Sequence, residues 1–92
     1  MKFEWDQAKA AANLSKHGMS FEEAKTVFDN PLAVIFDDIA HASDEPREII
    51  IGHSLQNRLL LIAFSEGSDS IRIISARLVT RPERQDYEQH TL

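Results

Sequence analysis

Cysteine is absent from the 92 residues, which removes disulfides, a thiolate nucleophile and Cys-based zinc sites. A chain without thiols suits the reducing cytoplasm. Glycine is scarce: Gly18, Gly52 and Gly67 stand far apart, so no glycine-rich loop can cradle a phosphate. No apolar run nears the ~20 residues that span a bilayer, and no membrane partner is expected. The opening Met1-Lys2-Phe3-Glu4-Trp5-Asp6 has no apolar stretch behind a basic one, so it does not read as a secretory signal. No histidines stand at helical i, i+4 spacing, and the acidic pairs Asp37-Asp38 and Asp44-Glu45 are chain neighbours, which point to opposite faces of a strand. No metal site and no cofactor are expected. Ser54 and Ser75 lack the surroundings of a nucleophile. Surplus positive charge is also missing. A net charge of −5 counts against a general nucleic-acid binder, whose affinity comes from excess Lys and Arg.

The chain is long enough for one domain over residues 1–92. Its cations are segregated. Lys2, Lys9, Lys16 and Lys25 lie in the first part, and all the arginines (Arg47, Arg58, Arg72, Arg77, Arg81, Arg84) follow from residue 47 onward. Arginine offers the planar fork that suits phosphate or carboxylate. The organising stretch is Ile71-Arg72-Ile73-Ile74-Ser75-Ala76-Arg77, followed by Thr80-Arg81-Pro82-Glu83-Arg84. Its β-branched half reads as a strand, and Thr80 with Glu83 forms a capping box that starts a helix. Strict alternation places Ile71, Ile73, Ser75 and Arg77 on one face, with Arg72, Ile74 and Ala76 on the other.

Asp6 and Gly18 bracket a helix over residues 7–17. Trp5, Ala8, Ala12 and Leu14 are its expected buried side. Lys16 and His17 fall in the last turn, where the helix dipole favours cations. Ser20 and Glu23 cap a second helix from Phe21 to about Asp29, whose Phe21, Ala24, Val27 and Phe28 repeat at core spacing. The short link makes the two a helical hairpin. Strands are expected over 32–36, 48–53 and 58–64, and a fourth ends near Arg77, with a polar turn at 41–46. Short links favour a four-stranded antiparallel meander, with helices covering one face. The fold class is α+β. The C-terminal helix, from Arg81 to about His90, has only Tyr87 as a large apolar body and should be the most easily displaced element.

In such a meander Arg58, starting the third strand, and Arg77, ending the fourth, lie at one edge of the sheet. Arg81 and Arg84 stay near Arg77, while Arg47 lies at the other edge. Gathered guanidiniums repel unless an anion or carboxylates sit among them. A bound phosphate and internal salt bridges to Glu83 and Asp86 are the two readings open here.

Phe3-x-Trp5-Asp6-x-x-Lys9, Asn13-x-x-Lys16-His17-Gly18, Phe21-x-x-Ala24, Arg47 with Ile51-Gly52, Arg58, and the run from Ile71 to Arg77 with Thr80-Arg81-x-Glu83-Arg84-x-x-Tyr87 together resemble the BrnT family, toxins of type II toxin–antitoxin modules. The likeness covers almost the whole chain. It implies a RelE-like fold and a metal-independent endoribonuclease that arrests translation. It also implies a BrnA-like antitoxin, a DNA-binding ribbon-helix-helix protein through which alone operator DNA is reached. With RNA as substrate, the 2′-hydroxyl attacks the adjacent phosphate. Arg77 and Arg58 would clamp the charge gathering on phosphorus. Arg81, Arg84, Lys16 and Arg47 would hold flanking substrate. His17 is the first candidate for acid or base, since histidine ordinarily titrates near neutral pH. Tyr87 is the second, as proton donor or stacking platform, and Glu48 is a candidate base. The competing reading is a non-catalytic module that binds an acidic partner through the same arginines.

Overall fold

The structure is a computed structural model that describes residues 2–37 and 47–91. Its elements are β1 (Lys2–Glu4), α1 (Gln7–His17), α2 (Phe21–Val27), β2 (Val34–Asp37), β3 (Glu48–His53), β4 (Leu59–Glu66), β5 (Ser70–Leu78) and α3 (Arg81–Thr91). The anticipated turn at residues 41–46 and Asp38 lie outside the described residues. The strands form one sheet in the order β1-β5-β4-β3-β2. From β2 to β5 each strand runs antiparallel to its chain neighbour, as the short links require. The sheet is nevertheless mixed and five-stranded, because β1 lies parallel against β5 with Phe3 opposite Ile71. A strand of three residues has no readable periodicity, and its partner is distant in sequence.

The helix termini follow their capping chemistry. Asp6 accepts from the Lys9 N–H, and Gly18 ends α1 at φ 65° while its N–H donates to the Leu14 carbonyl, a backbone state that glycine adopts without penalty. The Ser20 hydroxyl accepts from the Glu23 N–H at 3.1 Å. In front of α3 the Thr80 hydroxyl accepts from the Glu83 N–H at 3.4 Å, and the Glu83 carboxylate accepts from the Thr80 N–H at 2.8 Å.

α1 and α2 do not form a self-contained hairpin, because they pack on the sheet more than on each other. α1 lies along β5, and α2 sits across β3, β4 and β5. The main core lies between them and the sheet. Phe21, Phe64, Met19, Leu60, Ile62, Ile73 and Val27 are fully buried there, each worth about 1.5–3 kcal/mol in apolar burial. Phe28 stands edge-on to Phe3 and Phe64 at 5.2 and 5.1 Å. Helices do not cover one face only. α3 crosses the opposite face, where Tyr87 is buried among Ile51, Leu59 and Leu61 and His90 meets the Phe36 ring at 4.9 Å.

The expected buried side of α1 is also corrected. Ala8 and Ala12 are exposed and Leu14 is 53 % exposed, whereas Asn13 is buried. The Asn13 amide donates to the carbonyls of Met19 and Ala76 at 2.9 and 2.8 Å and accepts from the Ala76 N–H at 3.1 Å. β1 pairs with β5 only as far as Arg72. Beyond that point the Asn13 side chain takes the place of a neighbouring strand, satisfying backbone groups that burial would otherwise orphan.

Strict alternation fails along β5. Opposite β4, Ala63 pairs with Ser75 but Phe64 pairs with Ile73, so Ile74 is an extra residue in a β-bulge. Ile71, Ile73 and Ala76 therefore all face the helix-covered core. Arg72, opposite Ser65, and Arg77, opposite Leu61, both belong to the other face. Five residues apart, they would lie on opposite faces of a regular strand.

Candidate active site

Arg58 and Arg77 lie at the end of the sheet where β5 runs out, Arg81 and Arg84 follow in the first turn of α3, and Lys16 and His17 stand beside β5 at Ile74 and Ser75. Arg77 is held by Glu83 through two charge-assisted bonds of 2.8 Å, and it also donates to the Leu78 carbonyl at 3.1 Å. This bidentate contact raises the Arg77 pKa and, with the Thr80 N–H, holds Glu83 down at about 2. Arg58 sits at the same edge but on the other side of the sheet, against α2. Its Nε donates to Glu23 at 2.9 Å, its Nη2 closes a short contact to the same carboxylate, and the Ser54 hydroxyl donates to Glu23 at 2.7 Å. The hydrogen bond to Arg58 holds the Glu23 carboxyl below its usual range, and Arg58 is raised in return. Glu23 thus leaves its half of the expected capping box with Ser20 and binds a residue 35 positions away. The two guanidiniums do not converge on one point here. Each holds its own internal carboxylate.

Lys16 and His17 are exposed and line a groove of about 220 Å³ beside β5, together with Lys9, Ala12, Asn13, Ile74 and Ser75. Ser75 is two residues from Arg77, ~7 Å along a strand. The sequence pattern alone does not single out Lys9 and Ser75 as site residues. What signal there is for Lys9 lies in Lys9 and Lys16, seven apart, sharing one helix face. Arg81 and Arg84 are exposed on the first turn of α3.

Three other expected site residues lie elsewhere. Tyr87 is 4 % exposed beneath α3, edge-on to His53 at 6.0 Å. Glu48 is at the far end of the sheet, paired with Phe64 and Asp37. It is two strands and three rungs from Arg77, roughly 14 Å between Cα atoms at ordinary strand spacing, and on the helix-covered face. Burial first, then the charges of Glu66 and Asp37, push its pKa up. Arg47 precedes it at the same far end, half-buried. Among the described residues no group of histidines and carboxylates is arranged to hold a metal ion.

A family model described as ribonuclease toxin, BrnT, of type II toxin–antitoxin system matches residues 5–83. The chain belongs to the BrnT family. It also resembles the crystal structure of the Brucella abortus ribonuclease toxin BrnT, at 26 % identity and a TM-score of 0.68, over 88 % of this chain and 99 % of that one. No curated protein sequence matches the chain. The BrnT match spans α1 through the start of α3, and so takes in the groove, both arginine–carboxylate pairs and the bulge of β5. No helix of the described residues is long and apolar enough to cross a membrane.

Proposed function

We propose that this BrnT chain cleaves RNA without a metal at the arginine end of its sheet, in a RelE-like manner that arrests translation in the cytoplasm. The reading is supported above all by one arrangement: His17 and Lys16 line the same groove as Ser75, on the strand that carries Arg77. A scissile phosphate there takes the Arg77 fork in exchange for Glu83, a swap between like anions that costs little geometry. The RNA 2′-oxygen attacks phosphorus and the P–O5′ bond breaks. The 2′-hydroxyl proton goes to a base and another proton is delivered to the leaving 5′-oxygen. The products are a 2′,3′-cyclic phosphate and a 5′-hydroxyl. His17 moves a proton in this sequence, and Arg77 stabilises the extra charge on phosphorus. Lys16, Arg81 and Arg84 attract flanking phosphates. Arg58, braced by Glu23, sets the edge on which the α1–α2 link rests, and reaches substrate only if it leaves that carboxylate.

A BrnA-like, DNA-binding antitoxin is the partner in this reading, and operator DNA is approached only through the complex. A second reading has a specific observation in its favour: both Arg58 and Arg77 already hold carboxylates, so an acidic partner protein would suit them without any catalysis. Controlled expression of wild type and Arg77→Ala, with mapping of RNA ends in cells and with purified protein in EDTA, separates the two. The ribonuclease reading expects cyclic-phosphate ends that persist in EDTA and fall by about 10²–10³-fold in the variant, the loss typical of one preorganised charge-stabilising donor. Purified wild type that leaves RNA intact, while Arg77→Ala loses the antitoxin, would establish the binding module instead.

A further inference from the structure

We infer that Arg72 is a second phosphate-binding residue for RNA, serving a different nucleotide from the one held at Arg77. The inference rests on the ribonuclease reading and deepens it. The β-bulge at Ile74 is what brings Arg72 and Arg77 to one face, and bulges recur beside active sites because they re-aim a side chain in this way. Between the two, the rungs of β4 and β5 carry small side chains, with the bulged Ile74 beside Ser75. Ala63 and Ser75 face each other across β4 and β5, and Ser65 faces Arg72; all three are half-buried. α3 leaves this stretch open, because it crosses toward β2, where His90 meets Phe36.

Arg72 and Arg77 are opposite Ser65 and Leu61, four rungs apart on β4, which is ~13 Å. Side chains stand roughly perpendicular to a sheet, and Arg77 leans further away toward Glu83 in α3. Their heads therefore meet separate phosphates. Arg72 is exposed, and among the described residues no carboxylate lies within ion-pair distance of it. It differs in this from Arg58 and Arg77, which are occupied. Glu4 is the neighbour of Arg72 across β1 but does not engage it, and two cations spaced along one strand match a repeating anion, an extended RNA backbone, better than a single carboxylate.

The test uses uncleavable 2′-O-methyl RNA oligonucleotides of increasing length, with affinity read by fluorescence anisotropy for wild type, Arg72→Ala and Arg72→Lys. Wild type is expected to gain about tenfold once the oligonucleotide spans both arginines, with Arg72→Ala losing that step, Arg72→Lys keeping part of it, and the salt slope falling by about one in the alanine variant. Short oligonucleotides that reach only Arg77 should bind all three alike. Equal weakening at every length would reduce Arg72 to a contributor to the general field and overturn the subsite. So would an unchanged length profile, or a loss confined to antitoxin binding. Cleavage by wild type with no length step would sink the subsite alone, whereas wild type that neither binds nor cleaves RNA removes the ribonuclease reading first.

Discussion

At the scale of single residues, the two arginines of the candidate site each hold an internal carboxylate. His17 is exposed beside Lys16 and is the proposed proton carrier. His17→Gln is expected to lower turnover by about 10²-fold or more while leaving RNA affinity within about twofold. A small effect on rate would return His17 to stabilising the end of α1. Glu83 makes a prediction about stability. Its folded pKa is about 2 against an ordinary 4.5, so the folded state binds its proton more weakly than the unfolded state. The Arg77–Glu83 pairing thus stabilises the protein above pH 4.5 and is lost as pH falls toward 2. With side chains 35 % and 27 % exposed, solvent screening reduces the pair to ~1 kcal/mol. Urea unfolding of wild type and Glu83→Gln should differ at pH 6 and converge near pH 2, and a constant difference across that range would assign the effect to the helix cap alone.

Among the elements, α1 and α3 are attached in contrasting ways. α1 is tied to β5 through Asn13, whose three hydrogen bonds are buried. Asn13→Ala leaves the Ala76 N–H and carbonyl without partners, at ~1–3 kcal/mol for each buried group left unsatisfied, so a fall of several degrees in Tm is expected. α3 is attached by Tyr87, the Arg77–Glu83 pair and the His90–Phe36 contact, with most other side chains in solvent. Its amides should exchange hydrogen well before those of β3 and β4. Exchange as slow as the central strands would show that α3 belongs to the main cooperative unit.

The legible parts were those fixed by neighbours in the chain. Asp6, Ser20 and Thr80 announced helix starts because capping acts over three residues, and the β2-to-β5 order followed from link lengths. What escaped was non-local. β1 pairs with a strand 68 residues on, and Glu23 meets Arg58 only after folding. The bulge carries no glycine or proline to mark it, so simple alternation puts Arg77 on the wrong side of its strand. Alanines at helical spacing suggested a buried face on α1, but the edge of β5 needed a donor and an acceptor more than it needed methyl groups. Co-location of Arg58, Arg77, Arg81 and Arg84 at one end, and of Arg47 at the other, was readable from the meander, whereas the seat of Lys16 and His17 beside β5 was not.

For the whole molecule, an overall charge of −5 coexists with a divided surface. Asp37, Glu48 and Glu66 sit together at one end of the sheet with Arg47 and Arg72 nearby, and Arg58, Arg77, Arg81 and Arg84 are at the other. RNA binding should therefore weaken with salt to a limited degree, with a slope matching the few phosphates met at that end and not the whole surface. Titration from 50 to 200 mM salt checks this, and a slope near zero would point to contacts made by stacking alone.

The amide of Asn13 carries the same donor and acceptor as a peptide unit, and in presenting both to Ala76 it corks the rim of the sheet. Stripped of that cork, as in Asn13→Leu, β5 would offer a bare hydrogen-bonding rail to any extended chain that drifts past. Such a variant is expected to recruit its own copies at high concentration.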